Sequence, residues 1–212
     1  MTGKKLKLGV LVSGRGSNLQ AIIDAIDRGE LSAEIAVVIS NHDGVLALER
    51  ANRRGIKTSV VERADYRTRR EQQRAIRDCL LEHQVDLVVL AGFDRVIGED
   101  LLQAFPGRMI NIHPSLLPAF AGGLHAQAEA LEYGVKVTGC TVHFVTGEVD
   151  GGPIILQQAV PILESDTVES LAARILAEEH KLLPRAIGLI AEGRVSIEGR
   201  RARIAEGRPP AT

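Results

Sequence analysis

Residues 108–118 read RMINIHPSLLP, an apolar run that ends in Asn-x-His and passes into a loop between two prolines. Side chains alternate between the faces of a β-strand, so Asn111 and His113 would share one face. There an amide can donate to a developing oxyanion, and an imidazole can supply a proton or a positive charge near neutral pH. Both need a third group, and the segment VTGEVDGGPI (145–154) offers one. Glu148 and Asp150 both stand in it, but only Asp150 is fixed by the adjoining Gly151-Gly152-Pro153. A carboxylate beside an imidazole favours its charged form and can relay the proton lost by an attacking amine. No Ser or Cys lies in a nucleophile-elbow context, so direct attack by a bound nucleophile fits better than an acyl-enzyme. A plainer role is open to the same residues: Asn111 stitching loops together, and His113 a satisfied structural histidine beside Pro114.

A second candidate site follows the first apolar segment, in SGRGSNLQ (13–20). Gly14 and Gly16 permit close backbone approach, and Ser17 or Asn18 can cap the helix that begins there. Its first N–H groups would then form a phosphate seat. The spacing is neither GxGxxG nor GxxxxGK[ST], and Ser40-Asn41-His42 stands where an acidic ribose clamp would close the second strand. Dinucleotide and P-loop readings therefore lose their support. A tight capped turn explains the stretch about as well as an anion does. His113, His125 and His143 show no HxxxH or HExxH spacing, so no metal is expected.

The elements that would position these residues alternate. LKLGVLV (6–12), EIAVVIS (34–40), IKTSVV (56–61) and DLVVLAGF (86–93) read as buried strands. Between them lie helical patterns at 18–29, at 44–55, and from about Asp65 to His83. Apolar strands separated by helices indicate an α/β protein, Rossmann-like, with a mostly parallel twisted sheet and helices on both faces. Loops at the carboxyl ends of such strands meet at a ligand crevice, where Asn111, His113 and Asp150 could converge. The second half adds MINI, VTGCTVHFV and IILQQAVPI as strands, with a helix near LHAQAEALEYG. A long C-terminal helix follows, which Pro184 is expected to kink or divide, then a hairpin in RVSIEGRRARI and a polar tail expected to fray. The expectation is one domain over 1–212, with a nucleotide-binding half at about 6–105 and a half at about 106–212 carrying the catalytic residues.

Composition narrows the function. The 212 residues include 26 basic and 27 acidic side chains, a net charge of -1, which gives no general nucleic-acid footprint. RADYRTRREQQR (63–74) could hold an anionic small molecule, although a solvated helix face is the simpler reading. Cys79 and Cys140 suggest no disulfide framework. The apolar run after the N-terminal lysines is too short to span a membrane and lacks a secretory cleavage signal, so a cytoplasmic protein without a membrane partner is expected.

Taken together, SGRGSNLQAIIDA, VLAGFDRVI, GRMINIHPSLLPAF, VTGCTVHFVTGEVDGGPIILQ and AEEH resemble the phosphoribosylglycinamide formyltransferases, members of the folate-dependent formyltransferase family. The resemblance runs from about Lys7 to the region of Pro184 and Ile187. It implies transfer of a formyl group from 10-formyltetrahydrofolate to the amine of glycinamide ribonucleotide, without a metal, by a monomer or homodimer. By the same resemblance, Asn111, His113 and Asp150 are catalytic, Gly16, Ser17 and Asn18 hold the substrate phosphate, and Glu179 meets its ribose. Arg69, Arg95, Val96 and Ile97 match positions near the folate, with Arg69 able to meet its glutamate tail. This chain departs from the family pattern at Asp94, usually Met, at Ala121-Gly122-Gly123, usually Pro-Gly, and at Leu176, commonly polar. Related alternatives are a formylfolate hydrolase, which generally carries an extra N-terminal domain, a transferase acting on initiator methionyl-tRNA, and a ligand-binding variant without turnover.

Overall fold

The computed structural model describes residues 5–206. Nine strands and six helices follow in chain order. They are β1 Leu6–Val12, α1 Ser17–Asp27, β2 Ala33–Ser40, α2 Leu46–Arg53, β3 Thr58–Val60, α3 Arg69–Glu82, β4 Leu87–Leu90 and α4 Glu99–Ala104. Then come β5 Met109–His113, α5 Ala126–Tyr133, β6 Val137–Phe144, β7 Ile154–Pro161, α6 Val168–Ala191, β8 Val195–Glu198 and β9 Arg201–Ile204. Strands β1 to β7 form one sheet in the order β3-β2-β1-β4-β5-β6-β7, and β8 and β9 form a separate hairpin. The first five strands pair in parallel, whereas β6 runs antiparallel to both β5 and β7.

Alternation along β1 sends Leu8, Val10 and Val12 to one face of the sheet and Leu11 to the other. On the first face they meet Leu19, Ile22 and Ile23 of α1 together with Leu171, Ile175 and Ile187 of α6. On the second, Leu11 joins Ile76 and Leu80 of α3 and Leu101 of α4. A helix on each face is what a parallel sheet of uniformly apolar strands requires. The strand order reverses beside β1, where β2 leaves on one side and β4 on the other, and this opens a crevice at their carboxyl ends.

Several local expectations need correction. The third helix begins at Arg69 rather than Asp65, because Thr68 and Glu71 form a reciprocal capping box and residues Arg63–Asp65 make a separate 3-10 turn. Helix α4 shows no clear period over its 6 residues and was not expected. Strand β4 stops at Leu90. Pro184 does not divide α6, which runs unbroken for 24 residues. Burial of Leu182, Leu183, Ala186 and Ile187 on both sides of the proline holds that helix to the core despite the lost hydrogen bond. The end of the expected polar tail lies outside the described residues.

Candidate active site

Beyond β4 the chain borders a cleft of about 480 Å³, lined among others by Arg95, Val96, Ile97, Asn111, His113 and Asp150. Asn111 and His113 stand two apart on β5, as the period of a strand demands. Asp150 reaches them by a different route from the expected one. Because β6 is antiparallel, its carboxyl end lies opposite Ile110 at the start of β5, and the loop must double back to bring Asp150 to the trio. Asp150 adopts a left-handed backbone with φ 53°, unusual for a non-glycine residue.

The three side chains converge. His113 Nδ1 lies 3.3 Å from Asp150 Oδ2. Asn111 Nδ2 donates to Asp150 Oδ1 at 3.4 Å. His113 Nε2 lies 2.9 Å from the Phe120 carbonyl, which can only accept, so that nitrogen carries a proton. The opposite nitrogen faces the carboxylate at ion-pair distance, so a charged ring would be paired there. Asp150 Oδ2 also accepts from the Gly122 N–H at 2.8 Å. Burial works against the Asp150 carboxylate, but hydrogen bonding from His143 and Gly122 and the positive charge of His113 and His143 outweigh it, so its pKa falls below the ordinary value.

From its sequence context His143 is a candidate for nothing beyond a metal ligand. It faces Asn111 across the β5–β6 ladder, with Nε2 3.2 Å from Asn111 Nδ2 and 3.5 Å from Asp150 Oδ1. Neutral, it accepts from the amide; protonated, it donates to the carboxylate. The alternation of VTGCTVHFV carried the signal, but only the antiparallel register turns it into a contact. Phe120 and Gly122, which hold His113 and Asp150 through their backbones, had no sequence signal beyond the paired glycines. Among the described residues no group of three or more His, Cys, Asp or Glu is arranged to hold a metal ion.

The turn at the start of α1 is built differently from the expectation. Gly16 is the N-cap residue at φ 67°, and neither Ser17 nor Asn18 caps the helix with its side chain. An added Cβ on Gly16 would lie 2.6 Å from the Ala47 Cβ, so glycine is required there by packing against α2 as well as by its backbone angle. The uncapped first turn leaves N–H donors for an anion. Asn18 instead turns inward and donates to Glu179 Oε2 at 2.8 Å, while its own Oδ1 is buried without a partner. A buried acceptor left in this way is one that a bound hydroxyl or water would satisfy. Burial pushes the Glu179 carboxyl up, and the Asn18 hydrogen bond opposes that rise.

Asp94 ties the two regions together. It accepts from Asn41 Nδ2 at 2.7 Å and from Ser13 Oγ at 3.2 Å, and it meets His42 Nε2 at 3.2 Å and Arg95 Nε at 3.3 Å. Of the four residues expected near a folate, Arg95, Val96 and Ile97 line the cleft, whereas Arg69 stands exposed at the start of α3 and does not.

A profile of the family described as formyl transferase matches residues 6–187. The chain belongs to the formyl transferase family. The trifunctional purine biosynthetic protein adenosine-3 of Homo sapiens is 49% identical over 92% of this chain, which spans 19% of that much longer protein. The phosphoribosylglycinamide formyltransferase of Haemophilus influenzae is 43% identical over 91% of this chain and 90% of its own length. The crystal structure of glycinamide ribonucleotide transformylase 1 from Symbiobacterium toebii superposes with a TM-score of 0.94 at 55% identity, covering 96% of each chain. Its fold is that of the formyltransferases.

Proposed function

We propose that the chain transfers the formyl group of 10-formyltetrahydrofolate to the amine of 5'-phosphoribosylglycinamide, a step of purine synthesis. The observation that carries this reading is the contact of Asn111 and His113 with Asp150 in one cleft, in a chain of this family. The amine nitrogen attacks the formyl carbon, and the new carbon–nitrogen bond leaves a tetrahedral oxyanion. The Asn111 amide and the His113 imidazolium stabilise that charge, since donors fixed in a partly enclosed site need little reorganisation as charge develops. Asp150 orients His113 and accepts the proton lost by the attacking nitrogen, directly or through water. The bond to the folate nitrogen then breaks, that nitrogen regains a proton, and tetrahydrofolate leaves with the formylated ribonucleotide as the other product.

In this scheme Gly16, Ser17 and Asn18 seat the phosphate on the first turn of α1, and Glu179 meets the ribose. Arg95, Val96 and Ile97 hold the folate, and Arg69, exposed at the start of α3, is the proposed partner of its glutamate tail. The trio provides acid–base and electrostatic chemistry with no metal in the scheme. A cytoplasmic monomer or homodimer with small-molecule partners, using neither nucleic acid nor a membrane, completes the proposal. No helix among the described residues is long and apolar enough to cross a membrane.

The test is to follow loss of formylfolate with and without the ribonucleotide. Consumption that requires the ribonucleotide, with one formylated product per donor lost, is the expected result. Consumption at the same rate without it would replace this reading with a formylfolate hydrolase.

A further inference from the structure

The C-terminal hairpin lies beyond the span matched by the family profile, which ends at residue 187. Its tip reaches the loop that carries Asp150. Glu198 pairs with Arg201, and Gly199 at φ 59° takes the left-handed position of the two-residue turn, which leaves Arg200 at the apex. Arg200 Nη1 donates to the carbonyl of Gly151, the residue after Asp150, at 2.8 Å. Lower on the same hairpin, Ile197 lies against Gly107, just before β5, where an added Cβ would sit 3.4 Å from its Cδ1. Val195 and Ala202 anchor the hairpin on the core. The hairpin therefore touches the segments that lead into and away from the trio.

The Asp150 loop has reason to need such a tie. Its φ of 53° is costly for a non-glycine residue, and its internal hydrogen bonds are the long ones from Gly151 N to Glu148 O at 3.2 Å and from Thr146 Oγ1 to the same oxygen at 3.3 Å. The ion pair of Arg200 with Glu148, 3.9 Å apart with side chains 72% and 75% exposed, is screened and contributes little. The hydrogen bond to the Gly151 carbonyl is the hairpin's direct contact with the loop backbone. We propose that Arg200 is a positioning residue for Asp150, an inference that rests on the catalytic reading of the trio given above.

The experiment compares the full chain with Arg200→Ala and Arg200→Lys by steady-state kinetics across pH and by hydrogen–deuterium exchange. Arg200→Ala should lower kcat about three- to tenfold, the range that one hydrogen bond supports, with KM for the amine unchanged. The acidic limb of its kcat profile should move to higher pH as the ties on the Asp150 carboxylate loosen. Exchange at residues 146–152 should quicken while α1 stays as in the wild type. Arg200→Lys, which can reach the same carbonyl, should recover most of the loss. Wild-type kcat, or unchanged loop exchange, in Arg200→Ala would overturn the proposal. An inactive wild type would instead defeat the reading of the trio, and loop exchange alone would then decide whether Arg200 holds the segment.

Discussion

At the scale of single residues, the buried Asn18–Glu179 pair shows how a site works against stability. A carboxylate pushed up by burial contributes stability while it is protonated, below its unfolded pKa, and loses it as pH rises through the folded value. Glu179→Gln keeps an oxygen for Asn18 and cannot ionise. It should therefore raise the melting temperature of the unliganded protein more at pH 8 than at pH 5, while weakening binding of the ribonucleotide. A melting difference that ignores pH would contradict this account. Asn111→Ala and His113→Ala should each lower kcat by about a hundredfold, as removal of an oxyanion donor does, with KM values little changed. Rates of formylated-product formation at saturating substrates would measure the loss. Of this arrangement, the shared strand face of Asn111 and His113 was legible from their spacing, and Asp150 as a candidate third group from its Gly-Gly-Pro context. His143 was not, because a cross-strand neighbour depends on register, which no local pattern states.

At the scale of elements, loop and strand geometry decide what the side chains can do. Gly16→Val would force a β-branched residue into a left-handed position against Ala47. It should destabilise the fold as well as weaken phosphate binding. Asn18→Ala is the cleaner probe, and calorimetry should show it weakening the ribonucleotide several-fold while folate binding is kept. Equal losses for both ligands would remove the assignment of Asn18 and Glu179 to the ribonucleotide. The capping box of α3 was hidden in a charged run, RADYRTRREQQR, whose composition does not mark where the helix starts. Thr68→Ala should cost about 1 kcal/mol, seen as a melting temperature lower by roughly 2–4 °C. Helix α4 was illegible for a related reason: its 6 residues are too few to display a period.

At the scale of the molecule, the sheet's change of direction at β6 sets His143 opposite Asn111 and obliges the Asp150 loop to double back. Alternating apolar strands and helices made the parallel half readable, since each strand carries its own burial pattern. The antiparallel return was not readable in the same way, because the residue pattern of β6 does not state the sense in which it pairs. One consequence extends to acid stability. The Asp150 carboxylate, held below its ordinary pKa against the opposing effect of burial, contributes stability above about pH 4 that is lost as pH falls through its folded value. Denaturant titrations should show the stability gap between wild type and Asp150→Asn narrowing from pH 5 to pH 3. A gap constant over that range would mean that the charge of Asp150 is not linked to folding.

The most direct test of the central claim is kcat for Asp150→Asn, a variant that keeps the size of the side chain and removes its charge. If Asp150 orients His113 and takes the amine proton, kcat for ribonucleotide-dependent formyl transfer should fall by about a hundredfold or more, with both KM values within a few-fold of the wild type. Near-normal turnover in Asp150→Asn would contradict the account and remove Asp150 from the mechanism.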